Sequence, residues 1–382
     1  MKKIALAALV MTTSSGCFTG CNHKKAEEAI EPPPSMPVTG SATEPPKPLT
    51  AAELTARYDE CLGFWNENDW DKLKTCWAAD ASGDAPGSGT PPSVGTQAIV
   101  DATKDFKAGF PDMKGEPQLE LVHGHDLVVV SLLTGTHTGP FSGPAGEVTA
   151  MNQKIGFLSG QVQDLDDQGN VKHDHEYYDS ATMLGQLAPM KDHPVRPPQD
   201  KLAMPKEVVI AKNDAAEQAN VATANEVVDA FNKHYAKALG AALTDDVVWS
   251  EQQNPKDWTK AEAVADAESG WKAFSDLKMV PTAMWAAGSY VVTVATIDGT
   301  NDGAMPEAGL KHATKKHVSL PYLAVQKIDG GKVKATWVFA QGMAMAVQLG
   351  LAPAPAMAPS GSAASGSAAS GSAGAASGSA AK

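Results

Sequence analysis

Residues 50–352 contain one module written twice, and no other feature limits the fold as tightly. The first copy carries Phe110-Pro111-Asp112, then Gly135-Thr136-His137, and ends in Gln186-Leu187. The second carries Phe274-Ser275-Asp276, then Gly299-Thr300-Asn301 at the same spacing, and ends in Gln348-Leu349. A repeat of this length is a duplicated domain and not a solenoid, whose period would be roughly 20–50 residues. Each copy therefore serves as a control for the other. Features shared by both are expected to maintain the fold, and features of one alone are candidates for function.

In the first copy Thr50 and Glu53 make a capping-box pattern, and Leu54, Tyr58, Cys61, Leu62 and Trp65 follow at helical spacing. A shorter helix is expected over Trp70 to Trp77, a Gly/Pro/Ser-rich loop over Ser82 to Ser93, and a third helix from Thr96 to Phe110. Strands follow at Gln118 to His123, Leu127 to His137, Val148 to Asp164 and Val171 to Asp179, separated by turn residues. The second copy repeats the order, with helices near Ala222 to Ala238 and Lys260 to Phe274. Three helices followed by a run of antiparallel strands is an α+β arrangement. The domains are read as 50–190 and 221–352, joined by a linker at 191–220.

The ends carry different information. Lys2 and Lys3 precede the apolar stretch Ile4 to Met11, which is far shorter than the ~20 residues that span a bilayer and reads as a secretion signal over 1–16. Small residues before Cys17 match a bacterial lipoprotein cleavage site, so Cys17 is the expected lipidated residue and Cys21 the fallback. Residues 17–49 are rich in Pro, Glu, Ser and Thr and read as a tether. Residues 353–382 are a Ser/Gly/Ala low-complexity tail. This places the chain in the bacterial cell envelope, held to a membrane by lipid. The net charge of −13, without a basic cluster, argues against nucleic acid as a partner. Cys61 and Cys76 could close a disulfide there.

Three motifs, "FKAGFPDM" (106–113), "GTHTGPFSG" (135–143) and "HEYYDSATMLGQLAP" (175–189), together resemble the SnoaL-like polyketide and ester cyclase family of the nuclear-transport-factor-like superfamily. The resemblance covers nearly all of the first copy; the second is more divergent. It implies two tandem cone-shaped domains, each with three N-terminal helices packed on a curved antiparallel sheet around an apolar pocket. It also implies an acid/base aspartate on the last strand, at Asp179.

On that strand Val171, His173, His175, Tyr177 and Asp179 share one face. Their counterparts, Val333, Ala335, Trp337, Phe339 and Gln341, are almost wholly apolar, which marks this face as the expected interior. The first copy would then turn two histidines, a tyrosine and a carboxylate inward. Asp179 is either the acid/base group, with His137 and His175 beside it, or the N-cap of a helix over Ser180 to Leu187. His173-x-His175 has a spacing that could bind a metal, with Asp179 or His137 as third ligand, but the solvated or hydrogen-bonded reading is preferred, and no metal or cofactor is expected. Asp164 to Gly169 starts like a calcium loop, yet His175 stands where a bidentate Glu is needed. Trp65, Trp77, Phe106, Phe110, Met151, His173 and Tyr177 are the expected ligand-contacting residues of the first copy. Trp249, Trp271, Phe274, Trp337 and Gln341 are those of the second, which lacks the acid/base group.

Three functions follow as expectations: binding of a small hydrophobic molecule in the cones, cyclase or isomerase chemistry through Asp179, or a non-catalytic interaction module. In the last, the two copies would pair as a pseudo-dimer within one chain.

Overall fold

The computed structural model describes residues 47–143, 146–189, 195–201 and 205–352. The signal-like segment, Cys17, Cys21, most of the tether and the low-complexity tail lie outside the described residues. Domain 1 runs α1 (Ala51–Glu67), α2 (Trp70–Leu73), β1 (Trp77–Asp84), β2 (Ser93–Val94), α3 (Thr96–Gly109), β3 (Lys114–His123), β4 (Asp126–Thr136), β5 (Phe141–Gly143), β6 (Gly146–Val148), β7 (Lys154–Leu165), β8 (Val171–Tyr177) and α4 (Ser180–Leu187). A linker strand, β9 (Glu207–Ile210), leads to domain 2: α5 (Ala215–Asn232), α6 (Ala236–Ala241), β10 (Leu243–Glu251), α7 (Lys260–Ala273), β11 (Lys278–Ala287), β12 (Tyr290–Thr300), β13 (His317–Asp329), β14 (Lys332–Ala340) and α8 (Gly342–Leu349). Each domain is an α+β unit with its helices against one face of a sheet. The sheets are ordered β2-β1-β8-β7-β4-β3-β9 and β10-β14-β13-β12-β11.

Three differences from the sequence reading have local causes. Residues 77–84 form a strand and not the end of a helix and the start of a loop, and β1 lies parallel to β8, as β10 does to β14. The sheets are therefore not purely antiparallel. Strand β3 begins at Lys114, ahead of Pro117, because a register shift between Pro117 and Leu119 accommodates the proline; Pro281 sits at the same irregularity in β11. The linker is also structured. Strand β9 extends sheet 1 by pairing parallel to β3.

The motifs shared by both copies are clasps. Asp112 accepts from the Thr136 backbone N–H at 2.7 Å, and Asp276 accepts from that of Thr300 at 2.6 Å. Gln186 brackets Gly156 through its N–H and C=O at 2.9 and 3.0 Å, and Gln348 brackets Ser319 at 2.7 and 3.0 Å. Asn66 holds Gly115 as Asn232 holds Met279. Each clasp satisfies backbone groups that no ladder reaches. Cys61 and Cys76 are joined by a disulfide between α1 and the turn before β1.

The sheet faces turned away from the helices pack on one another. Leu119, Leu121, Val128, Val130, Leu132, Leu158 and Tyr177 of domain 1 form one apolar cluster with Tyr290, Val292, Leu323, Val325 and Phe339 of domain 2. Gly160 and Leu323 hold equivalent positions in their strands and meet here. A Cβ on Gly160 would fall 2.6 Å from Leu323 Cδ2 and 2.7 Å from Phe339 Cδ2. The glycine is the hole into which the leucine fits.

This seam corrects the reading of β8. The apolar face of β14 is apolar because it packs against sheet 1, not because it lines a cone. Tyr177, and with it His173 and His175, is on the seam side. The side chains of β8 that face the helices are the alternate ones, including Asp174 and Glu176.

Candidate functional site

Between α1 and the helix-side face of sheet 1 lies a cavity of about 100 Å³. Tyr58, Leu62 and Trp65 from α1, Trp77 from β1, Ser131 and Leu133 from β4, Ser159, Gln161 and Gln163 from β7, and Glu176 from β8 all line it. The placement follows from pairing. Gln161 is opposite Glu176 and Gln163 opposite Asp174 across β7 and β8, while Ser159 is opposite Ser131 across β7 and β4. Residues directly opposite share a face, so six polar side chains meet on the inner surface of the cone.

Their hydrogen bonds set what the cavity offers. Gln163 Nε2 donates to Asp174 Oδ1 at 3.0 Å, which turns its Oε1 away, and that oxygen is buried without a partner. The Tyr58 hydroxyl donates to Gln161 Oε1 at 3.1 Å. Ser131 Oγ and Trp77 Nε1 are buried without partners. Burial pushes Asp174 up to about 7, assisted by the charge of Glu176 and opposed by Gln163. Burial also raises Glu176, against a hydrogen bond from Ser159. Desolvation disfavours the charged form of a carboxyl group, so burial raises both Glu176 on the cavity wall and Asp174 behind Gln163.

Domain 2 supplies the control. By strand register, Ser131, Ser159, Gln161 and Glu176 correspond to Ala295, Tyr322, Ala324 and Val338, and these four pack into one hydrophobic cluster with Val228 and Met279. Asp174 corresponds to Thr336. Through the Asn66 and Asn232 clasps, Tyr58 matches Ala224, which is fully buried in the neighbouring cluster. The second cone packs these four strand positions into its core and keeps only Gln326 and Thr336, the counterparts of Gln163 and Asp174, as buried polar side chains at the matching positions.

The sequence-predicted residues separate accordingly. Trp65 and Trp77 line the cavity. Asp179 does not; it is the N-cap of α4, accepting from Thr182 N at 2.8 Å and Thr182 Oγ1 at 2.7 Å. Its other oxygen accepts from Gly342 N of α8 at 3.0 Å. Gln341, at the equivalent position, accepts from Ser180 N and Oγ at 3.3 and 2.9 Å. The two residues thus cap each other's helices across the seam. His137 is fully buried, stacks on Phe110 at 5.0 Å and accepts from Met151 N, away from the cavity. Phe106 and Phe110 pack beside it in a separate apolar cluster, and Met151 is 40% exposed, so it is no wall residue. His173 and His175 are exposed, bonded through Nδ1 to Ser82 Oγ at 2.9 Å and Asp84 Oδ1 at 2.5 Å. Among the described residues no three His, Cys, Asp or Glu side chains are placed to hold one metal ion. In domain 2, Trp249, Trp271 and Phe274 are core residues and the Trp249 indole donates to Glu251; Tyr177 of domain 1 and Trp337 of domain 2 belong to the seam.

The SnoaL-like polyketide cyclase family matches residues 52–187, and the SnoaL-like domain family matches residues 224–336. The chain belongs to the SnoaL-like family, in two tandem copies. No curated protein matches it. Among solved structures, AclR, a candidate hydroxylase from Streptomyces galilaeus, is 24% identical over 36% of this chain and 84% of its own, with a TM-score of 0.33. A candidate SnoaL-like polyketide cyclase from Jannaschia sp. CCS1 is 18% identical over 37% of this chain and 99% of its own, with a TM-score of 0.34. Likeness at this level carries nothing about chemistry.

The residues that distinguish the first SnoaL-like domain, namely Tyr58, Ser131, Ser159, Gln161, Asp174 and Glu176, were absent from the sequence-derived set, as was Gln163, which domain 2 keeps as Gln326. One signal could have found them. Gln161 and Gln163 alternate with apolar residues in a strand that also carries Val162, so both faces of β7 are used, and the polar face is the inner one.

Proposed function

We propose that SnoaL-like domain 1 binds a small polar molecule in its cone, and that domain 2 serves as a covalently attached partner covering its sheet, a pseudo-dimer within one chain. The observation that carries this is the cavity bounded by Glu176, Gln163 and Ser131, set against its apolar, filled counterpart in domain 2. Unpaired polar groups are costly inside a fold, and a bound molecule that pairs them removes that cost. The polar side chains of β4, β7 and β8 favour an occupant with a polar end, while Leu62, Leu73, Leu133, Leu165 and Val171 line the rest of the cavity with apolar surface. For domain 2 as a partner, the support is the shared apolar seam and the reciprocal caps of Asp179 and Gln341.

An NMR-detected screen of small polar fragments tests this reading. Wild-type protein should give hits that disappear in Ser131→Leu, which fills the cavity. Hits that survive the filling, or none at all, would remove the reading.

A second reading, acid–base catalysis of the cyclase or isomerase type, has one observation in its favour. Glu176 lines the cavity as a carboxyl raised by burial, in the direction that suits proton transfer near neutral pH. Glu176 takes this role in place of Asp179, whose oxygens are occupied at the seam.

We also propose that the mature chain is anchored to a membrane of the bacterial envelope through lipid on Cys17. Lys2-Lys3, the short apolar stretch and the small residues before Cys17 support it. Radiolabelled palmitate should enter wild-type protein and not Cys17→Ser; equal labelling of the variant would move the site or remove the proposal.

A further inference from the structure

The cone 1 cavity is unusual in its charge balance. Glu176 is on its wall and Asp174 directly behind Gln163, yet no lysine, arginine or histidine is among its lining residues. Lys107 of α3 sits on the outer side of the Trp65 wall, 4.0 Å over its ring, and donates to the Trp65 carbonyl at 2.6 Å. Buried carboxyls are ordinarily paired with a cation or a metal. Here no such group is on the cavity wall among the described residues.

The unpaired atoms point the same way. Gln163 and Ser131 are each only 5% exposed. Gln163 has committed its N–H to Asp174 and presents a free carbonyl oxygen. Ser131 Oγ is free, and the Tyr58 hydroxyl has spent its proton on Gln161, leaving only lone pairs. Trp77 Nε1 is an unpartnered donor on the wall, and the Ser131 hydroxyl can donate as well as accept. A chamber so rich in acceptors fits a ligand made mostly of donors. A primary ammonium group supplies three N–H donors and the positive charge that the carboxyl lacks, while Trp65 and Leu133 offer apolar surface for a short alkyl chain.

Size limits the choice. A dry cavity of about 150 Å³ holds benzene, so about 100 Å³ admits a few heavy atoms.

We propose that cone 1 is a site for a small primary alkylammonium ion, its N–H groups taken by Glu176 and Ser131. The inference rests on the reading of this cavity as a ligand site. In domain 2 the equivalents of Glu176 and Ser131 are Val338 and Ala295, so a single ion per chain is expected.

Isothermal titration of the full-length protein with propylammonium chloride, 1-propanol and sodium propionate tests it. The expected result is one propylammonium per chain, no heat from propanol or propionate, and at least tenfold weaker binding in Glu176→Gln. Ser131→Ala, a smaller change to the fold, should weaken binding several-fold and guards against a Glu176 variant that fails to fold. Propanol or propionate binding as tightly as propylammonium in the wild type would overturn the ammonium assignment and leave the cavity reading standing. Silence from all three would also overturn it, and the fragment screen with Ser131→Leu then decides the cavity reading separately.

Discussion

The two cones share their clasps and differ in their interiors. Asp112 and Asp276, Gln186 and Gln348, and Asn66 and Asn232 do the same work in both domains. Behind them, Ser131, Ser159, Gln161 and Glu176 in one become Ala295, Tyr322, Ala324 and Val338 in the other. Duplication therefore kept the frame and divided the labour: one copy retains a polar chamber, and the other gives up its chamber for packing. A cone packed with apolar side chains gains burial, while one with unpaired polar groups sacrifices it. The unpaired Gln163 Oε1, Ser131 Oγ and Trp77 Nε1 around a cavity that also carries the Glu176 carboxyl are the physical reason to look for function in domain 1.

The largest expected effect is at the seam that makes the two domains one unit. Gly160→Leu forces a side chain onto Leu323 and Phe339 and should destabilise the fold by about 3 kcal/mol, read as a lower denaturation midpoint. Because the two positions are equivalent, the exchange Gly160→Leu with Leu323→Gly should recover much of the loss. No recovery would break the knob-and-hole account.

Next is Asp179→Ala, which removes the α4 cap and strands the Gly342 N–H. A cost of about 2 kcal/mol is expected from the lost cap and unpaired donor, with ligand binding unchanged in the folded protein. Lost binding at intact stability would return Asp179 to the site.

A third test uses pH. Asp174 sits at about 7 because of burial and Glu176, above the ~3.9 of a free aspartate. The folded state then binds more protons than the unfolded one between those values. The stabilising contribution is complete below pH 4 and is lost as pH rises through 7. Wild-type stability relative to Asp174→Asn should therefore fall between pH 4 and 7, by on the order of 4 kcal/mol, in chemical denaturation. A pH-independent difference would contradict the assignment.

The smallest effect is expected from His173→Ala and His175→Ala. Both rings are exposed and off the cavity, so stability should change by less than about 0.5 kcal/mol and binding not at all. A large binding loss would sharpen the comparison in favour of the outer face.

The duplication, the long helices, most strand positions and the family were legible because they rest on repeated motifs and strong periodicity. The 61–76 disulfide was legible as a pairing that spacing allowed. The N-cap alternative for Asp179 was legible too, since Asp before Ser180 and Thr182 is a capping pattern. The site was not. Strand β14 shows an apolar face, and in an isolated cone such a face would be the interior; here it is covered by the other domain. In a strand the side-chain period is two, so mistaking the covered face for the inner one exchanged His173 and His175 for Asp174 and Glu176. Strand β1 was hidden by Gly83, Asp84 and Pro86, turn-type residues that sit at the end of a strand held by β8.

The most direct test of the central claim is a crystal structure of the protein soaked with a cocktail of small polar fragments. The account predicts density in cone 1, within hydrogen-bonding distance of Glu176, Gln163 or Ser131, and none in cone 2. Density in cone 2, or only at the surface with cone 1 dry, would contradict it.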